Sequence, residues 1–564
     1  MRIRTSLVYG FFFIPIVLYT WLLLGPYGNL IDGPRRRGVV FLTIIIVITG
    51  LLAHYKKIHW FPASLMALVG YASFYKVFTF ISDVSTFPFS LGWSEASRYY
   101  YASLFFSERL YNLHVPTSVL HPSRYLMQAI PFLIPGLPLW FHRLWQVFLW
   151  IGFTMGTGFV LARRLKQGWV LALWAFLFLL QGPVYYHLLV MVILILLGIK
   201  PRRFWLSLAV VLAASVWAGI SRVNWFPVPG VLAAALYLLE VPVEKKSIWR
   251  FSIPPALWIL LGTGIAFLTQ RLYILWSGNP ADQFGSGFTS DLLWYRLYPS
   301  PTYPGGILRN LVWVMLPLLL IIIVRMWLCR RQLHWLRHLG LWAGLIALFI
   351  IGLIVSVKIG GGSNLHNMDA FLVMLMIVGS YLYFEKFGKD TEDEPGNPKP
   401  LKALVYFAVC VPIFFAITSG GRSPAYDFAT AQKNLALLKE DLQPIAQENG
   451  KILFIDQRHL LTFGYLKDIP LVPGYELVFM MEMVMAGNRS YLDKFVSDVK
   501  NQRFAAIVSG EQPMTNQGRA FAFGEENDAW VKEVAEPLLC YYQKSTELEG
   551  INLVIYLPRE TPCK

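Results

Sequence analysis

A succession of long apolar segments limits what this chain can fold into. Mainly apolar runs recur from residue 7 to residue 418, and short polar connections separate them. A helix needs roughly 20 apolar residues to cross the hydrocarbon core of a bilayer. Of the 564 residues, 56% are hydrophobic and only 15% are charged, whereas soluble domains carry about 25% charged residues. These features predict a polytopic α-helical membrane protein with about 11–13 transmembrane helices.

The loops support a multi-pass topology in a cell membrane, either a plasma or an inner membrane. Basic residues concentrate in alternate loops, as the positive-inside rule expects, and only the arginines at 35–37 fall out of phase. This distribution explains the net charge of +16 without a nucleic-acid partner, and we find no nucleic-acid motif. The predicted spans are 7–24, 39–53, 61–82, 141–161, 168–182, 184–199, 204–219, 227–241, 255–275, 307–325, 339–357, 369–384 and 402–418.

The chain changes character after residue 418. Short apolar runs at 451–460, 503–510 and 551–558 are typical of buried strands, and 426–447 and 490–501 have helical patterns. Strands alternating with helices predict a small α/β domain. We therefore divide the chain into a transmembrane domain, 1–418, and an extracytoplasmic α/β domain, 419–564. Cys540 and Cys563 flank the last predicted strand, and an oxidising compartment would permit a disulfide between them.

The stretch 83–124 interrupts the apolar runs in what the loop charges predict to be an external loop. Its middle, from Ser94 to Leu110, mixes aromatic and charged residues, as in a helix lying at the membrane interface. Glu95 and Arg98 stand one turn apart on this helix. A carboxylate held at the water–lipid boundary suits a general base. The alternative is an ordinary surface ion pair. Asp83, at the end of its span, is a second candidate carboxylate.

A second polar stretch, 358–369, connects two late spans. Three consecutive glycines allow backbone amides to approach a ligand, and Lys358, Asn364 and His366 offer groups for a phosphate or a sugar. The alternative is a tight turn with a lysine that reaches the interface. Arg222 and Arg271 lie near predicted external span ends, where they would reach either an anionic headgroup or simply the interface.

Together these stretches resemble the GT-C superfamily of integral-membrane glycosyltransferases, which includes protein O-mannosyltransferases and lipid A aminoarabinose transferases. The resemblance covers about residues 60–420 and rests on the order of four features. They are SEASRYYYAS at 94–103, HPSRYLMQAIPFLIPG at 121–136, Arg143 at a span start, and KIGGGSNLHN at 358–367. The chain departs from the family at Ser94, where many relatives carry the first acid of an Asp-Glu pair.

The resemblance implies transfer of a sugar from a polyprenyl-phosphate donor to an acceptor on the extracytoplasmic face. Attack by a base-activated acceptor hydroxyl opposite the leaving phosphate would invert the anomeric carbon. The acceptor would be a lipid, a glycan or a protein. Relatives differ in their need for a divalent metal, and no metal-ligand cluster is evident. In the implied site, Glu95 or Asp83 is the base, and the donor phosphate and sugar contact Lys358, Asn364, His366, Arg222, Arg271, Arg98 and His121.

Two other classes of function remain open. A transporter or flippase for a lipid-linked saccharide would need ionisable residues deep in its spans or a duplicated half, and the sequence has neither pattern. A non-catalytic membrane scaffold that presents the C-terminal domain to a partner is compatible with Ser94 in place of an acid.

Overall fold

A computed structural model describes residues 33–243, 247–358, 365–391, 401–419 and 425–563, together with single residues between 14 and 31. Most of the predicted span 7–24 and the candidate ligand Asn364 therefore lie outside the described residues.

Helices account for nearly all of the described membrane part. Nine are long and apolar enough to cross a bilayer, and three apolar helices are shorter. These twelve correspond one by one to the predicted spans after 7–24, so a multi-pass α-helical fold is confirmed. The helices are α1 (Pro34–Lys56), α2 (Trp60–Ile81), α3 (Glu95–Ser103), α4 (Ser107–Tyr111), α5 (Pro122–Gln128), α6 (Leu139–Arg164), α7 (Trp169–Gln181), α8 (Tyr186–Gly198), α9 (Phe204–Gly219), α10 (Val228–Glu240), α11 (Ile248–Ser277), α12 (Ser286–Thr289), α13 (Ile307–Leu328), α14 (Trp335–Ser356), α15 (Asp369–Tyr383) and α16 (Leu401–Ser419).

Glycines allow some of these helices to pack closely. A Cβ at Gly158 of α6 would stand 2.3 Å from the Ala172 carbonyl oxygen of α7, and one at Gly230 of α10 would stand 2.5 Å from Ile259 Cα of α11. Without a hydrophobic driving force between helices in lipid, such close contacts supply much of the packing energy. Any side chain at these two positions would force the helix pairs apart.

Buried ion pairs join the helices at the end of the bundle opposite the C-terminal domain. In each pair an arginine from one segment meets a carboxylate from another within about 3 Å, and the arginine side chain is largely buried. Removing one partner of such a pair leaves an uncompensated charge, so these contacts hold the helix ends in register. The pairs are Arg164–Glu240, Arg325–Glu385 and Arg337–Asp390.

The C-terminal part folds as a small α/β unit, as predicted. Its sheet has the strand order β1-β2-β4-β3, with β1 parallel to β2 and the other pairs antiparallel. Three strands coincide with the predicted apolar runs, but the polar edge strand β3 was missed because most of its side chains are exposed. The elements are α17 (Phe428–Gln447), β1 (Ile452–Phe454), α18 (His459–Thr462), α19 (Leu477–Met485), α20 (Arg489–Lys500), β2 (Ala506–Ser509), α21 (Gly524–Trp530), α22 (Glu536–Tyr541), β3 (Tyr542–Glu547) and β4 (Val554–Pro558).

A disulfide joins Cys540 to Cys563 beside β3 and β4, with their Cα atoms 5.0 Å apart. We expect the Cys540→Ser/Cys563→Ser variant to unfold more easily by roughly 2–4 kcal/mol, because the cross-link restricts the unfolded chain. Thermal unfolding of the purified protein measures this effect. The matched control is Cys410→Ser, since Cys410 is a free, exposed thiol. Equal melting temperatures for wild type and the double variant would contradict the prediction.

Candidate active site

Glu95, the first candidate base, forms a buried ion pair at the start of α3. Its oxygens accept hydrogen bonds from Arg143 Nε at 3.0 Å and Arg143 Nη2 at 3.1 Å, and from the Leu91 amide at 2.6 Å. Only 5% of Glu95 and 3% of Arg143 are exposed. Burial raises the pKa of Glu95, but the hydrogen bonds and charge of Arg143 outweigh it and lower that pKa. The expected alternative, a surface ion pair with Arg98, is therefore wrong.

Arg143 also organises the backbone that precedes α3. Its guanidinium donates to the carbonyl oxygens of Ser85, Phe87 and Phe89 at 2.7–3.0 Å. Phe89 is 1% exposed and packs in a core cluster of the C-terminal domain. The Glu95–Arg143 pair thus ties the first loop to the domain that covers it.

The C-terminal domain covers α3 and buries it. Glu476 caps α19 and accepts hydrogen bonds from the hydroxyls of Ser97 and Tyr101, the latter at 2.7 Å. The Arg458 guanidinium lies 4.7 Å from the centre of the Tyr100 ring. The expectation that these tyrosines lie at the lipid headgroups is wrong, because Tyr100 and Tyr101 are buried between α5 and the C-terminal domain.

Three arginines converge on the side of the bundle that carries the C-terminal domain. Ser123 at the start of α5 bonds to the turn after α9 through Ile220 O at 2.9 Å, which places Arg124 beside Arg222. The ring of Tyr185 lies between them, 5.3 Å from Arg124 and 5.6 Å from Arg222. Burial and the charge of Arg124 lower the pKa of Arg98, so the third arginine is also close.

Several nitrogen atoms of these arginines remain available. Arg98 Nε, Arg124 Nε and Arg222 Nη1 have no hydrogen-bonding partner within the described ranges. Among the same residues, none of the three arginines has a carboxylate within 4.0 Å. Neighbouring cations repel one another and burial adds to that cost, so an anionic group bound among them would stabilise the cluster. We call Arg98, Arg124 and Arg222 the arginine pocket.

Histidines and aromatic rings form the wall of the arginine pocket. His121 adopts a left-handed backbone conformation, with φ 50°, directly before Pro122, a strained geometry that is common at functional sites. Burial, followed by the charges of Arg222 and Arg124, lowers the pKa of His121 well below its ordinary value, so its ring is neutral at pH 7. The neighbouring rings are His187, 6.4 Å from His121, and His366, 5.5 Å from Tyr185.

Lys358 and Glu482 lie at the edge of this pocket. Glu482 projects from α19 of the C-terminal domain. Burial raises its pKa, and the nearby Ser286, Arg222 and Lys358 offset only part of that rise. The Lys358 ammonium donates to the Gly287 carbonyl oxygen, and burial lowers the pKa of Lys358. Lys358 and Glu482 both keep intermediate exposure. The pocket is therefore bounded by the membrane helices and by the C-terminal domain together.

The other candidate residues differ in whether they reach the arginine pocket. Arg222 Nη2 donates to Asn367 Oδ1 at 3.0 Å, which brings the residue after His366 into the pocket. Arg271 does not join it, because Arg271 is exposed on α11 and stacks on Phe267 at 4.9 Å. Asp83 lies just beyond α2 and has an exposed side chain. Partial burial of its carboxylate, followed by the charge of Glu95, raises its pKa. Within the described ranges, no three His, Cys, Asp or Glu side chains form a group that would hold a metal ion.

Three pocket residues escaped the sequence analysis as site candidates, namely Arg124, Tyr185 and Glu482. Arg124 stands inside the quoted HPSR motif, so its place beside His121 was a usable signal. Tyr185 and Glu482 carried no such signal, because each reaches the pocket from a segment remote in sequence.

The comparisons with known proteins concern the architecture. No protein-family model and no curated protein sequence matches the chain. Similar solved structures include these two. An Archaeoglobus fulgidus oligosaccharyltransferase tethered to an acceptor peptide has 12% identity and a TM-score of 0.43, over 88% of this chain and 74% of that one. ArnT from Cupriavidus metallidurans bound to undecaprenyl phosphate has 13% identity and a TM-score of 0.41, over 87% and 97%.

Both are GT-C superfamily glycosyltransferases, the group that the sequence resembles. At these identities and TM-scores the similarity carries no argument about activity, substrates or individual residues. The function is therefore inferred from this chain's own pocket.

Proposed function

We propose that this protein is a glycosyltransferase that takes a sugar from a polyprenyl-phosphate donor. The observation that carries the proposal is the arginine pocket, whose cations lack carboxylate partners within the described ranges and lie beside apolar membrane helices. A lipid phosphate is an anionic group that enters such a pocket from the bilayer. Three guanidinium groups would hold the phosphate as it leaves and stabilise its growing charge.

In this proposal, Asp83 is the general base. Its carboxylate is exposed and accepts no hydrogen bond from the described residues, whereas both oxygens of Glu95 are occupied by Arg143. A base with a raised pKa is better matched to a proton from a hydroxyl group at neutral pH. Deprotonated Asp83 would accept the proton of the acceptor hydroxyl. The acceptor oxygen then attacks the anomeric carbon on the side opposite the departing phosphate, so the configuration of that carbon is inverted. Glu95 positions the loop.

The domain that covers the pocket would face the extracytoplasmic side of a plasma or inner membrane. The disulfide supports this orientation, because disulfides persist in oxidising compartments. We assign the unit after residue 419 to that side, where it would shape the acceptor site through Glu482. The acceptor is a lipid, a glycan or a protein that presents a hydroxyl group.

Arg222 and Arg271 provide a matched test of the arginine pocket, because each stacks on an aromatic ring and only Arg222 lies in the pocket. We expect Arg222→Gln to lower transfer of labelled sugar from polyprenyl-phosphate donors by about 10- to 100-fold, the value of a hydrogen bond to a charged group. Arg271→Gln should retain wild-type transfer. The assay uses membranes containing equal amounts of folded protein. Equal losses in the two variants, or no transfer by the wild type from any donor, would refute the proposal.

A further inference from the structure

A second cavity lies where the first loop meets the C-terminal domain, and it shares no lining residue with the arginine pocket. It has a volume of about 320 Å³. Its walls come from α4, the turn before α6, the start of α6, and the segment that follows α18. The residues that matter here are Arg109, Phe132, Ile134, His142 and Phe463.

The polar side chains among the described lining residues are those of Arg109, His142, Thr462 and Tyr465, and Arg109 is the one permanent cation among them. Arg109 is exposed, stacks on Phe106 at 4.7 Å and donates to the Phe132 carbonyl oxygen, which leaves other guanidinium donors for a ligand. His142 is 2% exposed, and its Nδ1 has no partner among the residues that the structure describes. None of the described residues in the lining carries a carboxylate. In the tautomer that carries its proton on Nδ1, His142 donates a hydrogen bond into the cavity, and together with Arg109 it suits an anionic group.

The mouth of the cavity is continuous with an apolar surface. Ile134 lines the cavity and is 60% exposed, and Leu133 beside it is 63% exposed. Along α6, Trp140, Leu144 and Phe148 recur every fourth residue and are 39–56% exposed. A row of exposed apolar side chains on a transmembrane helix faces lipid. A ligand in this cavity would therefore have a charged end inside and an apolar end along α6.

We propose that this cavity binds an anionic phospholipid of the surrounding leaflet. The phosphate contacts Arg109 and His142, and an acyl chain lies along Leu133, Ile134 and the outer face of α6. The site is independent of the proposed glycosyl transfer, because none of its residues belongs to the arginine pocket and none is the proposed base, Asp83. The lipid would fill the joint between the first loop and the C-terminal domain.

Native mass spectrometry of the full-length protein in detergent tests this site, with phosphatidylglycerol, phosphatidylcholine and inorganic phosphate as probes. We expect a retained phosphatidylglycerol molecule that phosphatidylcholine does not replace. Arg109→Gln should weaken retention about fivefold, the contribution of one basic residue to anionic-lipid binding. Leu137→Glu, which places a carboxylate in the partly exposed lining, should weaken retention further.

The matched control is Arg519→Gln, since Arg519 is also exposed and stacks on an aromatic ring, Tyr295, at 5.0 Å. It should retain phosphatidylglycerol like the wild type, and all variants should keep the wild-type melting temperature in detergent. Equal retention of the two lipids, or unchanged phosphatidylglycerol retention in both cavity variants, would overturn the proposal. Displacement of the lipid by inorganic phosphate alone would show that the cavity selects free phosphate and would also overturn it.

Discussion

Replacing Asp83 with asparagine is expected to lower glycosyl transfer by about 10²- to 10⁴-fold, the contribution of a positioned general base. Asparagine keeps the shape of the side chain but does not accept a proton at neutral pH. Because the Asp83 side chain is exposed and forms no hydrogen bond with the described residues, its replacement should not disturb folding. The measurement is the initial rate of sugar transfer in membranes, normalised to the amount of folded protein.

The pH dependence supplies a second measurement on the same residue. Burial and the neighbouring Glu95 raise the pKa of Asp83. A base acts only when deprotonated, so transfer by the wild type should fall as the pH drops through the raised pKa of Asp83. Residual transfer by Asp83→Asn should lack this acidic limb. If Asp83→Asn transfers normally while folded Glu95→Gln or Glu482→Gln is inactive, the base is one of those residues instead.

Replacing Arg143 with methionine is expected to lower the free energy of unfolding by about 3–5 kcal/mol, the cost of leaving one buried charge without its partner. The methionine side chain fills similar space, but Glu95 then stays buried beside an apolar group. The carbonyl oxygens of Ser85, Phe87 and Phe89 also lose their donor. Thermal unfolding in detergent and the protease sensitivity of the segment 83–95 measure this change.

A double variant separates the ion pair from the backbone contacts. Glu95→Gln/Arg143→Met removes both charges, so we expect it to be more stable than Arg143→Met alone. Arg489→Met is the control, because Arg489 also binds a carboxylate, Glu533, through two nitrogens but is exposed, and it should change stability by less than about 1 kcal/mol. Equal effects of Arg143→Met and Arg489→Met would contradict a special role for the buried pair.

Much of the architecture was predictable from the sequence, because a membrane helix can be recognised from the length of its own apolar segment. The run at 307–325, for example, folds as Ile307–Leu328, since apolar length alone makes a segment a helix in lipid. The strands β1 and β4 were equally visible as short apolar runs. The strand β3 was not, because an edge strand with exposed side chains lacks the apolar pattern that the prediction uses.

The candidate site was only partly predictable, because the type of a side chain does not determine which residues it contacts in the folded protein. Arg222 and Arg271 are both arginines near predicted span ends, and only the packing of α5 against the turn after α9 selects Arg222. Glu95 has the residue type of a base, but Arg143, 48 positions later, occupies its carboxylate.

The sequence by itself determined that this chain is a multi-pass helical membrane protein with an α/β domain after its last described span. Those properties depend on the length and period of apolar runs, which act over a few turns of chain. Only the tertiary structure decided which cations form the pocket, because Arg98, Arg124 and Arg222 come from three separated segments. Their proximity depends on packing between segments that are distant in sequence. This packing brings like charges together against their electrostatic repulsion, and the local sequence around each arginine does not predict it.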